Sequence, residues 1–73
     1  NNFESEKNAV KFARRSIIAN RDIQVNEKIS RDMLSIKRPA TGISPKFFEK
    51  IIGKSVKTKI QEDRPIQWDD LNE

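Results

Sequence analysis

The chain contains no cysteine and no histidine. Without cysteine there is no disulfide and no thiolate metal site, and without histidine no imidazole base or ligand. A familiar acid–base or nucleophilic centre therefore has few groups left from which to be built. The cysteine-free composition fits a reducing compartment, and a cytoplasmic location is the expectation. No apolar run approaches the ~18–20 residues of a membrane span, no signal-peptide pattern opens the chain, and no membrane partner is expected. Beginning at Asn1 rather than Met, the sequence reads as a fragment or a processed product.

What is present fits one small domain. The 73 residues are below the ~100–200 of a typical domain, and a chain of this size buries only ~60% of its unfolded surface. The apolar share is 34%, concentrated in isoleucine and phenylalanine, which points to a small β-branched and aromatic core in a polar shell rather than to disorder. Charged residues make up 36% with a net charge of +4. Residues 11–38 hold eight Lys/Arg against three acids, and residues 61–73 hold five acids against one Arg. The bare description is a basic module with an acidic tail.

Residues 1–10 lack clean periodicity and read as a linker or frayed terminus. From Lys11 to Ala19 the pattern changes to that of a strand centred on Ile17–Ile18, with Phe12, Arg14, Ser16 and Ile18 on one face and Ala13, Arg15, Ile17 and Ala19 on the other. The segment from Ile23 to Leu34 then aligns without gaps with the segment from Ile60 to Leu71, 37 positions further on. Five of the twelve positions agree: the first Ile, the Gln, the second Ile, the Asp and the Leu. Asn26 and Asp63 share a turn position, and both residue types tolerate left-handed backbone. Upstream, Ser16-Ile17-Ile18-Ala19 aligns with Ser55-Val56-Lys57-Thr58 if the second copy is two residues shorter. Each copy predicts a strand, a turn, a buried Ile and a short helical turn ending in Leu, with Ser30 as N-cap of the first turn and Gln67 as a weaker cap of the second.

Between the copies, Ser35–Arg38 reads as a short strand broken by Pro39 and Gly42. Ser44-Pro45 opens a helix, with Ser as N-cap and Pro at its first position. Phe47, Phe48, Ile51 and Ile52 line its faces at i, i+4 spacing and read as core. Gly53 closes it with a left-handed cap, beside Lys50 and Lys54 at the negative end of the helix dipole. The result is a mostly β unit with short helices and a pseudo-two-fold internal repeat.

Two copies of an I-x-x-[G/N/D]-x-x-I-x-x-D-x-L unit thus flank K-R-P-A-T-G-I-S-P and a short F-F-x-x-I-I-G helix. This arrangement resembles the SAF (antifreeze-like) domain at the C-terminus of sialic acid (N-acetylneuraminate) synthases and of legionaminic and pseudaminic acid synthases. The S-E-K-N and A-R-R-S segments resemble the linker and first strand that join that domain to its catalytic barrel. The R-P-x-x-G-I-x-P segment at Arg38–Pro45, with A-R-R-S, points to the sugar-acid synthases in particular. The resemblance implies a β-clip, the pretzel-like fold of type III antifreeze proteins, over residues 14–73, with residues 1–13 as linker from a (β/α)8 barrel. It implies a parent enzyme that condenses phosphoenolpyruvate with an N-acetylated amino sugar such as N-acetylmannosamine. A divalent metal, manganese or magnesium, would be held by the barrel, with no cofactor in this domain. It also implies a homodimer in which each SAF domain caps the partner subunit's barrel.

By that resemblance Arg38 is the substrate-binding residue, its guanidinium near the acetamido group of the sugar. A guanidinium presents five donors in a fixed plane, and Pro39 stiffens the backbone behind it. By residue type alone, Arg38 reads as one more solvated arginine. Ala40 stands where the family usually has Gly, so a positive φ there would require a rearranged loop. Phe12 is a second substrate-binding candidate, able to pack on the acetamido methyl or simply to anchor its strand. Thr41 and Lys37 read as a solvated loop, Trp68 as a half-buried lid or an interdomain contact, and Asp69–Asp70 as a turn rather than a metal site. The isolated domain is not expected to be catalytic. Two other functions fit the composition or fold: ice binding and nucleic-acid binding through the basic 11–38 region. Arg31, Lys37 and Arg38 argue against the flat, weakly polar face that ice adsorption needs. The absence of a recognised motif argues against nucleic acid.

Overall fold

The computed structural model describes residues 14–73. The linker reading of residues 1–13, the start of the predicted strand at Lys11 and the candidate Phe12 lie outside the described residues. Regular structure is sparse. Strand β1 (Ser16–Ala19) pairs antiparallel with β2 (Leu34–Lys37) in the register Ser16↔Lys37 to Ala19↔Leu34. Helix α1 (Phe48–Ile51) follows a 3-10 turn at Pro45–Phe47, and further 3-10 turns lie at Arg31–Met33 and Trp68–Asp70. The remaining strand-like contacts are isolated bridges at Ile18↔Pro65, Ile23↔Ile60, Lys28↔Ser55 and Val56↔Leu71.

The internal repeat is physical. Ile23 and Ile60 exchange both backbone hydrogen bonds, at 2.8 and 2.9 Å, so a pseudo-two-fold axis passes between the two equivalent isoleucines. Around that axis the bonds come in pairs. The Asn26 N–H donates to Val56 and the Asp63 N–H to Ala19; the Ala19 N–H donates to Arg64 and the Val56 N–H to Glu27. The bridges Ile18↔Pro65 and Lys28↔Ser55 are likewise equivalent. These pairings hold the 37-residue offset upstream of Ile23 as well, so Ser55 corresponds to Ile18 and Val56 to Ala19. The two-residue shortening expected from sequence is absent: Ser16 and Ser55 look alike but occupy different places.

The expected turn chemistry is present at Asn26 (φ 72°) and Asp63 (φ 68°). Ser44 caps the Pro45–Phe47 turn by accepting the Lys46 N–H, and Gly53 (φ 93°) ends the helical segment. Ser30 does not cap through its side chain; its hydroxyl donates instead to the Asp32 carboxylate in the same turn. Both faces of β1 are covered, all four of its residues being buried. The strand is central: β2 covers one edge, while Ile43, Arg64 and Ile66 bond to the other.

The core is built largely from isoleucine, drawn from every segment, with Ile17, Ile23, Ile51, Ile66 and Val56 fully buried. Phe47, Phe48 and Ile52 pack against it as partly buried walls, so the helical stripe is core as its spacing predicts. Among the described residues no helix is long and apolar enough to cross a membrane.

Candidate functional site

Arg38 stands at the exposed end of β2, where the chain turns from the ladder into the loop 38–42. The antiparallel pairing brings the start of β1 to the same end, so exposed Arg14 and Arg15 lie beside Lys37 and Arg38. Lys37 is committed elsewhere, its Nζ 3.4 Å from the Asp63 carboxylate. Arg14, Arg15 and Arg38 form no ion pair among the described residues. Among the described residues this is therefore a cationic edge with no carboxylate paired to the Arg38 guanidinium.

The loop carrying Arg38 is held from both sides. Ser16, whose side chain is buried at 0% exposure, donates its hydroxyl proton to the Pro39 carbonyl at 2.5 Å. The Gln67 side-chain amide donates to the Thr41 carbonyl at 2.8 Å. The Arg38–Pro39 peptide is cis. Ala40 has no positive φ, so its departure from glycine requires no rearrangement of the backbone. Gly42 is needed for space rather than for φ: a Cβ there would meet the Ile66 carbonyl oxygen at 2.7 Å and Pro65 Cβ at 2.8 Å.

Beneath the loop three fully buried or nearly buried isoleucines close a ring of backbone hydrogen bonds. Ile17 N–H donates to Ile43, Ile43 N–H to Ile66, and Ile66 N–H to Ile17, at 3.0, 2.8 and 2.9 Å. Ser16, Gly42 and Gln67 are each a direct neighbour of one ring member, so the ring sets the places from which the loop is held. Ser16 and Gln67 escaped the sequence reading as site-supporting residues. A serine heading the apolar run Ile17-Ile18-Ala19 was a usable signal; Gln67 was marked only as a turn cap, with no sign of its reach to Thr41.

On another face, Trp68 (45% exposed) meets Phe47 edge-on with ring centroids 5.3 Å apart. Lys46 and Lys50 sit over the Phe47 ring at 5.2 and 6.0 Å. A cleft of about 220 Å³ between Phe47, Trp68 and Leu71 is rimmed by Lys50 and Lys54. Two acids of the tail have partners within the fold. Asp70 accepts from Thr58 Oγ1 and from the Gln67 N–H, as its turn assignment implied, and Asp63 takes Lys37. Among the described residues no three acids, histidines or cysteines cluster as a candidate metal site.

Local pairing also perturbs three carboxylates. Glu27 is lowered by the Gln24 backbone N–H and then by Arg21. Glu49 is lowered by a two-pronged bond from Arg31, both contacts at 2.7 Å. Asp32 is lowered by the Ser30 hydroxyl and by its own backbone N–H. Asp32 sits in the Arg31–Met33 turn and Glu49 in α1, and none of the three is a hydrogen-bond partner of the Arg38 loop.

A two-fold repeat of short strand-like segments, a connecting R-P loop and a one-turn helix define a class of domain. The chain belongs to the SAF domain family, which matches residues 14–72. It is 43% identical over 67 residues to an uncharacterised protein of Methanocaldococcus jannaschii, covering 92% of this chain and 20% of that protein. It is 36% identical to the N,N'-diacetyllegionaminic acid synthase of Campylobacter jejuni, covering 88% of this chain and 19% of the enzyme. It is 30% identical to the pseudaminic acid synthase of Helicobacter pylori, covering 84% and 18% respectively. The chain thus spans about a fifth of the length of the curated relatives it matches. Its fold matches the solution structure of the antifreeze protein-like domain of human N-acetylneuraminic acid phosphate synthase, with a TM-score of 0.78 at 24% identity over 84% of this chain and 78% of that one.

Proposed function

We propose that this chain is the substrate-capping domain of a sugar-acid synthase that condenses phosphoenolpyruvate with an N-acetylated amino sugar such as N-acetylmannosamine. In a homodimer it closes over the active site of the partner subunit's (β/α)8 barrel, and Arg38 reaches the acetamido group of the sugar. The observation that carries this reading is Arg38 itself: an exposed guanidinium, without an acidic partner among the described residues, on a loop held at both ends. The identity to legionaminic and pseudaminic acid synthases supports the parent chemistry.

The domain's contribution is binding and water exclusion. The planar fork of the guanidinium donates to the acetamido carbonyl or a sugar hydroxyl, and that bond strengthens as closure removes competing water. Holding the sugar in one pose converts part of the reaction's entropic cost into binding, while proton and carbon chemistry stay with the barrel. A divalent metal would be held by that barrel, where it would supply Lewis-acid polarisation of reacting oxygens. Phe12, next to the A-R-R-S strand, is proposed to pack on the acetamido methyl.

Steady-state kinetics of the full-length parent, wild type and Arg38→Ala, test the reading with phosphoenolpyruvate and either N-acetylmannosamine or a 2,4-diacetamido sugar. The KM for the sugar is expected to rise ~10- to 100-fold, as loss of a hydrogen bond to a charged group implies. The KM for phosphoenolpyruvate should hold. An active parent indifferent to the substitution would make the domain a structural cover and remove Arg38 from the site. A parent that condenses neither sugar would overturn the synthase reading and leave the family membership standing.

A further inference from the structure

We infer that Ser16 and Gln67 are positioning residues for Arg38, setting the affinity for the sugar through the backbone of the loop 38–42. The inference rests on the reading of Arg38 above and adds two residues to it. An arginine can orient a ligand only as well as its own Cα is placed, and a misplacement of ~1 Å can cost ~10²-fold in rate. Here the ladder ends at Lys37, so Arg38 is the first residue beyond regular pairing. What fixes the path after it is a bond to the carbonyl of Pro39 and a bond to the carbonyl of Thr41.

The two donors come from opposite halves of the repeat. Ser16 precedes the first copy on β1, and Gln67 belongs to the second copy beside the Trp68–Asp70 turn. The connecting loop is thereby tied to both halves at once. The Ser16 hydroxyl is buried and must find an acceptor inside the fold, and the acceptor it finds is the carbonyl of the residue after Arg38. Gln67 is exposed, so its bond competes with water and is the weaker hold. Gly42 wedged against Ile66 and Pro65 fixes the loop's far end. Both bonds are made to carbonyls, so the side chains of the loop remain free to face a ligand.

The test uses the full-length parent with Ser16→Ala, Gln67→Ala and Gln67→Glu, each alone and combined with Arg38→Ala. Gln67→Glu keeps the shape and replaces the donor by an acceptor that repels the Thr41 carbonyl. Because residue 67 is exposed, its variants guard against a loss that is only misfolding at the buried Ser16. Each single variant is expected to raise the sugar KM about 5-fold, the scale of one neutral hydrogen bond, with kcat and the phosphoenolpyruvate KM unchanged. In the Arg38→Ala background the same changes should add nothing. An unchanged sugar KM in the single variants, beside an impaired Arg38→Ala enzyme, would overturn the positioning role. So would an equal rise in the Arg38→Ala background, since the effect would then not pass through Arg38. If Arg38→Ala itself leaves the sugar KM unchanged, it is the reading of Arg38 that falls, and this inference falls with it.

Discussion

Asn26 and Asp63 adopt left-handed backbone at equivalent turns, where most side chains clash with their own carbonyl. Asn26→Val is expected to cost ~1–2 kcal/mol in urea denaturation, while Asn26→Gly should be close to neutral. Equal losses for both variants would show that the asparagine side chain, not the conformation, matters at that turn. These positions were legible because a repeat places two tolerant residues in register and each supports the other. Gly53 was legible for a related reason, standing where a helix with apolar faces must stop. Gly42 was not legible as a packing site, because the carbonyl of Ile66 that crowds it lies far along the chain. Ser30 was misread as a side-chain cap: its hydroxyl donates to the Asp32 carboxylate, and its oxygen accepts no backbone N–H of the turn.

Among the elements, the strands were the hardest to read. A strand over Lys11–Ala19 was expected to have two distinct faces, yet Ser16–Ala19 is buried on both. Alternation reports one covered face, and it fails for a strand enclosed on all sides. The repeat's other strands shrink to single bridges, which leave almost no periodicity to detect. The short turns are tied in by charge instead: Arg31 clamps the Arg31–Met33 turn to α1 through Glu49 and rests over the Phe48 ring at 5.7 Å. Glu27, Asp32 and Glu49 all have lowered folded-state pKa values. Their contribution is fully present above the ordinary carboxylate pKa of about 4 and is lost as pH falls through the lowered values. Denaturation midpoints should therefore be flat near neutrality and fall in acid. Glu49→Gln should reduce the acid dependence, and an unchanged pH profile in that variant would mean the exposed pair contributes little to the fold.

At the scale of the molecule, the resemblance and the repeat together specified the architecture, while the way its parts interlock emerged only in three dimensions. Ile17, Ile43 and Ile66 come from the first copy, the connector and the second copy, and their amides form one closed ring. None of the three amides can be freed without parting segments distant in sequence. Amide exchange followed by NMR should place them among the slowest in the chain, with similar protection. Early exchange at one of the three would show that the ring opens locally. The Arg38 loop rests on the same ring, so stability and the aim of the guanidinium are expected to be lost together.

The reciprocal pair at Ile23 and Ile60 carries one more consequence. Each half of this fold completes the other in the manner of two subunits of a symmetric dimer that happen to share a chain. The same hydrogen bonds would be satisfied if the second half came from a neighbouring molecule. What favours the closed form is effective concentration: the connector through β2 and α1 keeps the matching half always within reach. That connector also bears Arg38, so the segment that presents the guanidinium is the one that keeps both halves of the fold in a single molecule.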